Sequence, residues 1–352
     1  MKIAGRPVGL DAPPFIIAEL SGNHNGSLDR ALAIVDAAAA TGAHALKIQT
    51  YTADTMTLDI REREFVITDP KSPWAGRSLY ELYEEAHTPW DWHAPIFERA
   101  RRHGMIPFST PFDFSAVDFL ETLDAPCYKI ASFENTDLPL IRKVAATGKP
   151  IIVSTGMATL GEIDALVRAA REAGCRDLVL LKCTSSYPAS PANSNIRTIP
   201  ALREAFGCEV GLSDHTLGVG VAVASVALGA TVIEKHFTLD RGLPGPDHRA
   251  SLPPDEFARM VAMIRATALA LGDGRKVPTP AERDVAALVR RSWHAAVPIA
   301  AGATINAGDV DLRRPASGLP PAHSPVGRRA AADIAAGSPV AESALAPAVP
   351  NN

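Results

Sequence analysis

Cysteine is scarce in this sequence. Among 352 residues only Cys127, Cys175, Cys183 and Cys208 occur, none as a Cys-x-x-Cys pair, so neither a disulfide framework nor a thiolate zinc site is expected and a reducing cytoplasm fits. An excess of basic charge is also missing. The formal net charge is -4, which argues against nucleic acid as the main partner. The N-terminal stretch MKIAGRPVGLDAPP has no unbroken apolar core, and no secretion signal is expected. Neither a GxGxxG fingerprint nor a Walker loop appears, which removes the common nucleotide-binding readings. One long run without formal charge, Thr216 to Ile233, is punctuated by Gly218, Gly220 and Gly229. It reads as loop, buried helix and strand rather than as a membrane span.

What is present is an ordinary globular balance, 47% hydrophobic and 21% charged, in a chain long enough for one large domain and one small one. Eight short apolar runs suit buried strands: Phe15 to Glu19, Ala45 to Gln49, Ile106 to Ser109, Tyr128 to Ser132, Ile151 to Thr155, Leu178 to Cys183, Glu209 to Ser213 and Thr231 to His236. Helical patterns alternate with them, such as Leu28 to Ala40 after the cap Ser27 and Leu160 to Ala173 closed by Gly174. Eight strand–helix units over about 250 residues match an α/β (β/α)8 barrel better than an open doubly wound sheet. The second link, Thr50 to Arg77, lacks clear periodicity and contains Pro70, Pro73 and Trp74, the kind of long loop that shapes access to a barrel site. Composition then divides the chain into a barrel domain over 1–275, a linker over 276–290 and a small β-rich domain over 291–352.

A barrel keeps its functional side chains at the carboxyl ends of its strands. Here those ends carry Glu19, Lys47 and Gln49, Ser109 and Thr110, Lys129 with Ser132 and Glu134, Ser154 and Thr155, the run Lys182 to Pro188, the run Gly211 to Gly218, and the run Glu234 to Asp240. Such a ring of Lys, Ser and Thr suits a ligand bearing phosphate and carboxylate. Lys47, Lys129, Lys182 and Lys235 lie inside apolar runs, where lysine calls for an anionic ligand or a paired carboxylate. His215 and His236 end adjacent strands, placed to converge on one divalent ion with coordination positions left open.

The segments FIIAELSGNHNGS, ALKIQTYTADTMTL, GRSLYELYEEAHTPWDWH, FSTPFD, YKIASFE, IVSTGMAT, LLKCTSSYP, VGLSDHTLG and VIEKHF resemble, in order, the motifs of the sialic acid synthases. That family includes N-acetylneuraminic, legionaminic and pseudaminic acid synthases, and the C-terminal part is similar to its antifreeze-like (SAF) domain. The resemblance implies a transferase that condenses phosphoenolpyruvate with an acetamido sugar. It implies a manganese-type divalent ion, with Mg2+ or Co2+ as substitutes, on His215 and His236. It places phosphoenolpyruvate on Lys47, Thr110, Lys129, Ser132, Ser185 and Ser213, with Ser154 grouped among them from its strand end. The sugar falls to Gln49, Glu134, Tyr187 and Asp247, with Glu19 near the reacting centre and Glu134, Glu19 and Lys129 as the catalytic set. It also implies a homodimer with exchanged C-terminal domains, in which Arg314 reaches into the other subunit's barrel.

Among family members the chain most resembles pseudaminic acid synthases, whose acceptor is 2,4-diacetamido-2,4,6-trideoxy-L-altrose. The run LPGPDHRASL, Leu243 to Leu252, instead resembles the neuraminic and legionaminic enzymes, which use N-acetylmannosamine or a diacetamido-trideoxy-mannose. A more distant alternative is a Schiff-base aldolase or lyase, because strand-borne lysines also bind pyruvate that way.

Overall fold

The computed structural model describes residues 1–68, 74–245 and 247–347. Pro70, Pro73 and Pro246, named above, lie outside those residues. The chain divides into two compact units, Met1–Gly272 and Asp273–Asn352.

In the first unit all eight apolar runs form parallel strands: β1 (Phe15–Glu19), β2 (Ala45–Thr50), β3 (Ile106–Pro111), β4 (Tyr128–Ile130), β5 (Ile151–Ser154), β6 (Leu178–Cys183), β7 (Glu209–Asp214) and β8 (Val232–His236). They close in sequence order, β8 pairing with β1, into the expected barrel. β4 is shorter than its apolar run suggests. After Ile130 the chain turns into a 3-10 helix, Ser132–Glu134, and the Ser132 hydroxyl accepts a hydrogen bond from the Gly156 N–H at 3.1 Å, so a distant loop holds this residue out of the ladder.

Strands buried on both faces must place every residue somewhere dry, and their alternation sorts the barrel's contents. Phe15, Ile17, Phe108, Ile152, Val179, Leu181 and Val232 form an apolar plug toward the amino ends of the strands. Their outward neighbours, among them Ile16, Leu46, Ile130, Val153, Leu180 and Ile233, pack against the helices. Gly211 of β7 is needed for this packing, since a Cβ there would lie 2.2 Å from the Val232 carbonyl oxygen.

The helices follow local rules. Helix Leu28–Ala40 is capped by the Ser27 hydroxyl and buries Ala31, Ile34, Val35 and Ala38, one face at helical spacing. Helix Leu160–Glu172 starts at a Thr159–Glu162 capping box. The uncharged run after Thr216 becomes the short helix Gly220–Ala227 leading into β8. Among the described residues no helix is long and apolar enough to cross a membrane.

The second unit begins with a helix, Pro280–Val289, inside the stretch expected as linker. Beyond it β9 (Ser292–Ala295) pairs antiparallel with β10 (Val310–Arg313) over a small core that includes Ile299, Ile305, Leu319, Ile334 and Val340. The rest is turns and isolated bridges, in keeping with a small β-rich domain.

Candidate active site

Above the apolar plug, the inward positions turn polar all at once. Glu19, Lys47, Gln49, Thr110, Lys129, Ser154, Cys183, Ser213, Glu234 and His236, with His215 just past β7, line one cavity of about 280 Å3. Strand register sets their neighbours. Glu19 stands beside Lys47 on one side and His236 on the other, and Ser213 beside Glu234. The long link after β2 and the helix following it contribute Tyr51, Met56, Leu82 and Tyr83, which with Phe112 and Phe133 form an apolar wall. That is the access-shaping role expected of the loop.

The floor is a buried network of opposite charges. Lys47 Nζ lies 2.7 Å from Glu19 Oε2 and 3.8 Å from Glu234 Oε1, and Lys129 Nζ lies 3.2 Å from the same Glu234 oxygen. Thr110 Oγ1 accepts from Lys47 at 3.2 Å, and Ser213 Oγ donates to Glu234 at 3.2 Å. Burial alone would raise Glu234, but Lys129 and Lys47 outweigh it and hold the carboxyl at about 2. Burial lowers Lys129, with Glu234 opposing. Lys47, equally desolvated, is nonetheless raised by Glu19 and Glu234. The Ser154 hydroxyl, also on the wall, is buried and has no hydrogen-bond partner among the described residues. An unmade bond in a desolvated place is costly, so a donor left open there points to a ligand acceptor.

Next to it is a cradle that only glycine permits. A Cβ on Gly156 would fall 2.2 Å from Ser185 Oγ and 2.7 Å from Ser132 Oγ, so two hydroxyls crowd a bare backbone position.

The two histidines face each other, ring centroids 5.2 Å apart, with the Tyr187 ring 4.1 Å from that of His215. His215 Nδ1 lies 2.9 Å from the Thr184 carbonyl, which can only accept. The ring proton therefore sits on Nδ1, leaving Nε2 as the lone-pair nitrogen. Burial first of all drives His236 down to about 3, so this imidazole is neutral, and its buried Nδ1 has no hydrogen-bond partner among the described residues, lying 4.0 Å from Asp247 Oδ2. A backbone-oriented imidazole beside a neutral, unpartnered one fits a divalent transition ion. Among the described residues no group of three or more His, Cys, Asp or Glu closes around an ion, so the donor set is an open one.

Of the other two lysines, Lys235 meets the expectation through a paired carboxylate outside the cavity and Lys182 departs from it. Lys235 points out of the barrel and is satisfied by Asp214 at 2.7 Å, while Lys182 donates to the Cys183 carbonyl at 2.7 Å and to Thr184 Oγ1 at 3.2 Å. Strand alternation explains both, since each sits one residue out of step with an inward side chain. Glu134 and Ser185 are not on the cavity wall. Ser185 Oγ lies 3.9 Å from Cys183 Sγ, which is. Arg314 is exposed in the second unit and, among the described residues, makes no ion pair, whereas Arg313 pairs with Asp311 at 2.8 Å. Trp90, Trp92 and His93 pack: Trp90 stacks on Phe119 at 4.6 Å, Trp92 meets the His24 ring edge-on and His93 contacts Thr50 at 2.8 Å.

Sequence reasoning left out Glu234 and Cys183 as site residues. Their signal was parity: Glu234 is two residues before His236, and Cys183 stands at the inward end of β6. Burial tends to raise Cys183, but the His215 ring outweighs it and brings the thiol to about 7.

Glu134 offers a test by pH. Burial, opposed by Lys129, lifts its carboxyl from the ordinary 4.5 to about 7. The folded chain therefore holds this proton more tightly than the unfolded one, and the associated stability is full below 4.5 and lost as pH rises through about 7. Urea midpoints of the parent should fall across that window relative to Glu134→Gln. Parallel pH profiles for the two proteins would contradict this assignment.

A NeuB family signature matches residues 34–276, and a SAF domain signature matches residues 290–346. The chain is 44% identical to the pseudaminic acid synthase of Campylobacter jejuni (strain 81-176), over 95% of this chain and 97% of that one. It is 38% identical to the N,N'-diacetyllegionaminic acid synthase of Legionella pneumophila, over 96% of each. Among solved structures, the N-acetylneuraminic acid (sialic acid) synthetase of Leptospira borgpetersenii, in complex with citrate, superposes with a TM-score of 0.73 at 30% identity, covering 81% of this chain and 94% of that one.

Proposed function

Because this chain belongs to the NeuB family, we propose that it is a transferase joining phosphoenolpyruvate to 2,4-diacetamido-2,4,6-trideoxy-L-altrose and water, giving pseudaminic acid and phosphate. One observation carries the reading. Two buried ammonium groups, an open Ser154 donor and a facing pair of imidazoles share a single cavity.

Charge decides what that cavity lacks. Lys47 and Lys129 are already matched by Glu19 and Glu234, so a ligand carrying both phosphate and carboxylate needs further positive charge. His215 and His236 would hold a divalent ion, which would supply that charge and Lewis acidity toward the acceptor's aldehyde oxygen. The chain's own residues do the rest. Lys47 and Lys129 sit against phosphate and carboxylate, and the Ser132 and Ser154 hydroxyls direct hydrogen bonds to their oxygens. C3 of phosphoenolpyruvate bonds to the aldehyde carbon, whose oxygen takes a proton. Water then adds at C2, losing a proton, and the tetrahedral centre expels phosphate as its carbonyl forms. The carboxyl of Glu134, near 7, suits proton transfer at neutral pH, but it stands outside the cavity wall, so this role requires it to swing inward. The aromatic and apolar wall keeps bulk water from the reacting carbons.

The same reading includes a homodimer with exchanged C-terminal domains, for which an exposed arginine without an ion pair is the supporting feature; sedimentation at the mass of one chain would contradict it. Lys182, turned away from the cavity, gives the Schiff-base alternative no support. For the acceptor, the higher identity is to a pseudaminic acid synthase, while the run Leu243 to Leu252 favours the sister enzymes.

The test is phosphate release from phosphoenolpyruvate by metal-stripped protein, with and without Mn2+, offering the altrose, the legionaminic precursor and N-acetylmannosamine. Metal-dependent release with the altrose is the expected result. Preference for another sugar would overturn the acceptor, and release with none would overturn the synthase reading.

A further inference from the structure

Ser21 is 2% exposed, lines the cavity, and adopts a left-handed backbone with φ 51°, a conformation that strains any residue except glycine. The 3-10 turn it opens, Ser21–His24, is buried throughout. Asn23 Nδ2 ties that turn to the segment after β8, donating to the Phe237 carbonyl at 2.8 Å and to Ser251 Oγ at 2.9 Å. Ser251 Oγ in turn donates to the Asp247 carbonyl at 2.6 Å. The strained position is thereby held from both sides.

The hydroxyl it delivers is the middle of a chain of bonds with only one direction. Asp247 Oδ2 receives a hydrogen bond from Ser21 Oγ. Because that proton is committed, Ser21 Oγ can only accept from Gln49, whose Nε2 lies 3.1 Å away. The same Nε2 donates at 3.0 Å to Glu19 Oε1, whose partner oxygen is engaged by Lys47. Both N–H groups of the Gln49 amide are thus consumed. A flipped amide would set its oxygen against the Glu19 carboxyl and leave Ser21 without a donor.

We propose that Ser21 is a positioning residue for the acceptor: it locks the Gln49 amide so that its carbonyl oxygen alone is offered to the sugar, selecting a hydroxyl or acetamido N–H donor there. The inference rests on the synthase reading above and deepens it, and the strained φ is the cost of placing a hydroxyl between Gln49 and Asp247.

Two variants separate positioning from structure. Ser21→Gly removes the hydroxyl and relieves the φ, so its melting temperature should hold or rise. Ser21→Ala removes the hydroxyl and keeps the strain. Both should lower kcat/KM for the sugar about tenfold, the scale of one well-placed hydrogen bond. The value for phosphoenolpyruvate at saturating sugar should change less than about twofold, and discrimination between altrose and mannose acceptors should narrow in both. Unchanged sugar kinetics in both variants, or a phosphoenolpyruvate effect of equal size, sinks the proposal. If the parent turns over no acceptor sugar, the synthase reading falls and this inference with it; an active parent with indifferent variants sinks this inference alone.

Discussion

Replacing Lys129 with methionine should cut kcat/KM for phosphoenolpyruvate by roughly a thousandfold and destabilise the fold by about 3–5 kcal/mol. The two losses have different origins. Lys129 Nζ is 3.2 Å from Glu234 Oε1, both side chains are nearly inaccessible, and the next cation, Lys47, is 3.8 Å away. Removing Lys129 leaves a desolvated carboxylate with only its more distant counter-ion, which is where the stability cost arises. For the reaction, the same change turns an attractive wall into a repulsive one for an anionic substrate. A second substitution separates the effects. In Lys129→Met/Glu234→Gln the orphaned charge is gone, so most of the stability should return while activity stays low. A double variant as unstable as the single one would show that Glu234 is not the charge Lys129 compensates. Near-parental kcat/KM in the single variant would remove Lys129 from the phosphoenolpyruvate site.

Stripping divalent metal, or replacing His215 or His236 with alanine, is expected to lower turnover on the order of a thousandfold, the worth of several kcal/mol at a developing charge. The open donor set makes the single variants informative. If His215 and His236 are the protein's ligands, each imidazole supplies a large part of the protein's hold on the ion, and losing one should weaken it measurably. Direct Mn2+ binding, followed by electron paramagnetic resonance, should weaken in each variant and vanish in the double. Excess Mn2+ should restore part of the turnover of the single variants and none of the double. Unaltered binding by the double variant would place the metal elsewhere, and undiminished turnover after stripping would remove it from the reaction.

Much of this was legible before any coordinates. Runs such as Leu178 to Cys183 are apolar on both parities, which only a strand covered on both faces tolerates, and eight of them at helix-length spacing leave little choice but a closed barrel. The cap Ser27 fixed a helix start by local chemistry. Most of the candidate site could be read for the same reason: at a barrel's carboxyl rim, Glu19, Lys47, Thr110, Lys129 and the two histidines occupy strand ends by sequence position alone.

Which polar residue faces inward was harder to see, because a strand without polar–apolar alternation does not mark its own inward face, and parity helps only once one inward residue is known. Lys235 and Glu234 are neighbours of equal polarity, and only closure of the sheet turns Glu234 onto the cavity floor and Lys235 outward to Asp214. The bond partners were beyond reach altogether. Ser21 and Asp247 are 226 residues apart, and that contact exists only once β8 closes on β1, while the Gly156 cradle between Ser132 and Ser185 needs β4, β5 and β6 paired in register. The sequence by itself determined the strands, the helices between them and the residue types available at the rim, since propensity, capping and burial pattern act within a few residues. Tertiary structure alone decided which of those side chains share a charge, a proton or a ligand, since such pairings depend on strand register and closure between segments far apart in the chain.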